Sequence, residues 1–97
     1  MPVHDGLSQC SIYYLMSAQG FRNAQRPVEA KQADDASEYL LAAAVDLAGF
    51  DHTKERMTFY KNQMMAEING DYSNFTVLVN QHNENCAFLL NLAQGGR

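Results

Sequence analysis

Tryptophan is absent from this chain, proline and cysteine occur twice each, and lysine only three times among 97 residues. Positive charge is scarce: seven Lys and Arg stand against eleven Asp and Glu, a formal charge of −4 with pI near 5.1. Neutralising phosphates needs a clustered positive field, so nucleic acid is not an expected partner. Long hydrophobic runs are missing too. The longest, residues 39–45, falls far short of the roughly 20 residues that a membrane span requires. There is no phosphate-binding glycine loop, no nucleophile elbow, no Cys-x-x-Cys and no His-Glu-x-x-His. The opening Met1-Pro2-Val3-His4-Asp5 has neither a basic nor an apolar region of the signal-peptide kind. A cytosolic chain and a mature exported chain given a starting Met would both begin this way.

What the chain has is an even supply of apolar residues, 46% of the total, which disfavours disorder and suits one small core. Asn and Gln number 15, nearly as many as the 18 charged residues, so the polar surface rests on amides as much as on charge. The periodicity predicts an all-α fold, a single domain forming a compact bundle of about four helices over residues 7–22, 28–48, 52–68 and 72–93. Frayed ends are expected at 1–5 and 94–97. In the first helix Leu7, Cys10, Tyr14, Ala18 and Phe21 recur at steps of three and four. Asp5 or Ser8 could cap it, Gly20 weakens its last turn, and Arg26-Pro27 sets a boundary. The second helix opens on Pro27 and carries Ala33, Ala36, Leu40, Ala43, Ala44 and Leu47 on one face, small enough for a close neighbour. Gly49 suits a C-terminal cap with Phe50 folding back against it.

Asp51 or Thr53 is the expected cap of a third helix bearing Met57, Tyr60, Met64 and Ile68. Asn69-Gly70 ends that helix, because its flanks repeat at 3.6 rather than at the period of two a hairpin needs. The fourth helix starts at Asp71 or Ser73. Its stripe is Tyr72, Phe75, Val79, His82, Cys86, Leu89 and Ala93, although residues 75–79 also have strand propensity.

Cys10 and Cys86 lie on the apolar stripes of the first and last helices, which are neighbours in an up-down bundle. A disulfide between them is the leading expectation. It would close nearly the whole chain into a loop and imply an oxidising compartment. Two separately buried thiols are the plainer reading, since free Cys packs like a small hydrophobe. A third is metal ligation by His82 and Cys86, four apart on one helix face, with Cys10 and a fourth ligand from His4, His52 or a carboxylate. A lone His on an apolar stripe is more often a hydrogen-bonded core residue, so no metal and no other cofactor are expected.

No pair of acids falls in an apolar setting: Asp34 and Asp35, Asp46 and Glu67 read as solvated helix faces, and the serines lack a histidine partner. The expectation is therefore a non-enzymatic protein. Adjacent large residues, Tyr13-Tyr14, Phe59-Tyr60 and Met64-Met65, point about 100 degrees apart on a helix and cannot all face one narrow core. Tyr13, Met16, Phe59 and Met65 are thus candidates for a partner or homodimer surface. Asn74-Phe75-Thr76 spells a glycosylation sequon, but Phe75 is expected to be buried.

With Cys10, Tyr13-Tyr14-Leu15, the Ala-rich second helix and Cys86, the chain resembles small exported all-helical proteins of Gram-negative bacteria. These carry one Cys near each end, and most have no assigned function. In size, cysteine number and helicity it is also similar to acid-activated periplasmic chaperones, without their charge-rich termini. The resemblance implies a periplasmic or secreted protein, and the apolar helix faces lead to the expectation that it binds a protein partner or itself. The alternatives are the Cys10–His82–Cys86 metal domain, and a cytoplasmic or virus-encoded regulator with reduced cysteines.

Overall fold

In the computed structural model, which describes residues 3–95, four α-helices and a single 3₁₀ turn account for almost the whole chain, and the described residues contain no strand. Helix α1 spans Val3–Asn23, α2 Pro27–Ala48, α3 Phe50–Glu67 and α4 Thr76–Ala93, with the 3₁₀ turn at Tyr72–Asn74 before α4. The all-α bundle read from periodicity is the fold observed. The Cα radius of gyration is 12.6 Å, against about 12.5 Å for a well-packed domain of this length.

Helix boundaries follow the breakers. Arg26 leaves the helical region ahead of Pro27, which takes the first turn of α2. Gly49, at φ +86°, lets the chain turn while its N–H still donates to Val45 at 2.8 Å. Phe50 does not fold back on that turn. It opens α3 and stands 65% exposed, because Gly49 itself serves as the N-cap and leaves no residues for a returning loop. Neither Asp51 nor Thr53 caps α3, for the same reason. Asn69 and Gly70 both adopt positive φ and stop α3. The Asp71 carboxylate then accepts from the Ser73 backbone N–H at 2.9 Å and the Ser73 hydroxyl at 2.8 Å, which holds it below the usual carboxylate range. Residues 3–5, expected to fray, are helical, and Asp5 is anchored by Arg56 of α3 at 2.9 Å. Residues 1–2 and 96–97 lie outside the described part.

The core differs from the expected stripes in one respect: α1 is buried on most of its circumference. Leu7, Cys10, Ile12, Tyr13, Met16 and Ala18 are all covered, together with Ser8, Ser11 and Ser17. Helix α1 contacts each of the other three helices, most extensively α2. Ala30, Ala33, Ala36, Ser37, Leu40 and Ala44 face it from α2. These small side chains permit a close approach, and two serines join across it. Ser11 Oγ donates to the Ser37 carbonyl at 2.9 Å, and Ser37 Oγ returns a bond to the Ser11 carbonyl at 2.8 Å. The two hydroxyls are thereby satisfied inside the bundle, whereas the buried hydroxyls of Ser17 and Thr53 find no partner among the described residues. From α4 only Leu78 and Cys86 are fully buried; Phe75 and Val79 are half-buried and helix-associated, not in a strand.

Candidate functional site

The two cysteines meet at the centre of the α1–α4 contact. Their sulfurs stand 2.10 Å apart and their Cα atoms 5.3 Å apart, a disulfide spanning 76 positions of sequence. Both are buried, each on the stripe where helical spacing placed it. With both sulfurs bonded to each other, neither is a thiolate, so the Cys10–His82–Cys86 ligand set does not form. His82 instead faces the Glu67 carboxylate at 3.4 Å, half-buried, with its ring 5.9 Å from that of Tyr13. It bridges α4 to the end of α3.

Two of the four expected surface residues are corrected by the fold. Tyr13 and Met16 are each only 2% exposed and belong to the core, because α4 and α3 cover the second face of α1. The Tyr13 hydroxyl donates to Asn83 Oδ1 at 2.9 Å, and burial pushes its pKa up to about 12. Phe59 is 52% exposed, with the Arg56 guanidinium 4.7 Å from its ring centre, and Met65 is partly buried against the core.

Other apolar surface is left open as well. An open groove of about 370 Å³ runs between α1, α2 and α3. Its floor and walls are Ile12, Leu15, Leu41, Phe50 and Met57, with Leu15 and Phe50 exposed. Lys54 and Lys61, two of the three lysines in the chain, stand along one side. They are seven residues apart, two turns of α3, so both project from the same face. Thr53 is part of the wall, and its buried hydroxyl has no hydrogen-bond partner among the described residues. A second open apolar area joins Val3, Leu47 and Leu92, at the start of α1 and the ends of α2 and α4.

Leu47, expected on the buried face of α2, is 63% exposed, and Leu15 and Phe50 are not legible as open surface from the sequence for a local reason. Leu15 and Phe50 fall off the stripes, and an off-stripe apolar residue looks the same whether it is covered by a neighbour or left open. The detectable signal was the Lys54–Lys61 spacing beside Met57. Two histidines and a carboxylate also converge: His4 and Asp5 at the start of α1 and His52 at the start of α3.

Compared with family profiles, with characterised proteins and with solved structures, the chain gives no match. No helix of the described residues is long and apolar enough to cross a membrane.

Proposed function

We propose that this is a non-enzymatic, disulfide-stapled helical protein of an oxidising compartment such as the bacterial periplasm, and that it works by holding a segment of another protein in the α1–α2–α3 groove. The observation that carries this reading is the pairing of an apolar floor with a basic edge on an otherwise acidic chain. An amphipathic helix would lay its apolar side on Leu15, Phe50 and Met57 and set acidic flanks against Lys54 and Lys61. The groove is lined by residues already held in helices, so the ordering cost of docking falls mainly on the bound segment. The Cys10–Cys86 bond supports the compartment, since structural disulfides persist where thiols are not kept reduced.

The test uses the oxidised protein and a fluorescent peptide with a leucine face flanked by glutamates. Saturable binding that weakens with salt, and falls at least fivefold in Phe50→Asp and in Lys54→Glu/Lys61→Glu, is the expected result. Equal binding by the wild type and both variants would overturn the groove. Sedimentation of the same proteins addresses the homodimer: association with rising concentration, lost in Phe50→Asp, would make a second copy the occupant.

A further inference from the structure

At one end of the bundle the first turns of α1 and α3 lie side by side. His4 and His52, 48 positions apart in sequence, bring their rings edge to face with centroids 5.0 Å apart. The Asp5 carboxylate completes the group, its Oδ1 4.0 Å from His4 Nε2. One potential ligand atom from each of the three residues lies within 4.8 Å of the others. We propose that His4, Asp5 and His52 bind one divalent metal ion of the imidazole-seeking class, Zn²⁺ in the first instance.

Three features of the cluster support a site. Its donor set, two imidazoles and one carboxylate, is the mixture that zinc accepts with a fourth position left to water. Its carboxylate is already oriented: Arg56 Nε donates to Oδ1 at 2.9 Å, Arg56 Nη2 to Oδ2 at 3.2 Å, and Tyr60 OH reaches Oδ2 at 3.4 Å. Metal-binding carboxylates are commonly held in this way by an outer partner, and a carboxylate oxygen keeps a second lone pair for the ion. The remaining adjustment is small. Ligands at about 2.1 Å from zinc stand roughly 3.4 Å apart in a tetrahedron, so these atoms must close by about an ångström. His52 is exposed and can turn about its side-chain bonds to do so.

The Arg56 guanidinium beside Asp5 opposes every divalent ion alike, so the choice among ions rests on the donor atoms. Calcium and magnesium require several oxygen ligands, and only one carboxylate is offered here. Zinc, nickel and copper gain from neutral nitrogen donors and are favoured.

Untagged oxidised protein should bind one zinc per chain in isothermal titration calorimetry at neutral pH, with native mass spectrometry confirming the stoichiometry. His4→Asn and His52→Asn should each weaken zinc binding at least tenfold, while His82→Asn, on the far helix, leaves it unchanged. Calcium should give no binding heat. Both ligand variants replace residues outside the core, and far-ultraviolet circular dichroism checks that they remain folded. Absence of saturable zinc binding, retention of binding in either ligand variant, or loss of it in His82→Asn overturns the site. None of these outcomes depends on the groove, so the two proposals stand or fall separately.

Discussion

Thr53 keeps its hydroxyl buried without a hydrogen-bond partner among the described residues, a cost of roughly 1 kcal/mol or more in a folded protein. Replacing the hydroxyl with a methyl of the same shape removes that cost. Thr53→Val is therefore expected to leave stability unchanged or raise it by up to about 1 kcal/mol, measured as a shift in urea midpoint at constant slope. A drop in midpoint would show that the hydroxyl has a partner, such as a bound water. Tyr13 makes a second prediction at this scale. Its folded pKa is raised from 10.0 to about 12, by burial first. The neutral phenol is the form that folding favours, so its contribution is complete below pH 10 and disappears as pH rises through 12. Urea midpoints should fall between pH 10 and pH 12, and Tyr13→Phe should flatten that fall. The same variant should cost about 1 kcal/mol at neutral pH, where it loses the bond to Asn83.

Among the elements, the joint between α1 and α4 depends on one glycine. A Cβ added to Gly20 would lie 2.4 Å from Phe75 Cγ, closer than side chains can approach. Phe75 ends the 3₁₀ turn, and its ring meets that of Phe21 edge-on at 5.0 Å, so it has little room to retreat. Helix propensity alone would make Gly20→Ala stabilising by about 1 kcal/mol. Packing reverses the sign: the expected change is a loss of about 1–3 kcal/mol. Shortening the ring with Phe75→Ala in the same chain should recover part of it, a non-additivity that a double-mutant cycle measures directly. A more stable Gly20→Ala would mean that α4 moves freely over α1. The serine pair between α1 and α2 illustrates the same point, since Ser11 and Ser37 carry polar hydroxyls yet both are buried and mutually bonded.

For the molecule as a whole, the Cys10–Cys86 bond is the largest single constraint. Closing a loop of 76 positions lowers the entropy of the unfolded chain by an amount worth about 4.5 kcal/mol. That is a large share of the roughly 5–15 kcal/mol by which domains are stable. Cys10→Ala/Cys86→Ala, or reduction of the native chain, is expected to lower the denaturation midpoint by a corresponding amount. Intact mass after alkylation of denatured protein, with and without prior reduction, checks the bond itself. Two thiols labelled without reduction in protein from an oxidising compartment would remove both the staple and the case for export.

Most of the architecture was readable from local pattern. Pro27, Gly49 and Asn69-Gly70 break the chain where helices end because their backbone preferences act within a few residues, whatever surrounds them. Helical spacing likewise put Cys10 and Cys86 on facing stripes, since two neighbouring helices must turn those stripes toward each other. Tertiary structure decided which of the remaining apolar residues are covered. Tyr13 and Met16 became core because α1 is enclosed by three helices, whereas Leu15 and Phe50 stayed open because none of the described residues lies across the α1–α2–α3 groove. It also decided that His4 and His52 meet. Periodicity describes one helix and its own faces; the crossing of one helix over another depends on all the side chains between them.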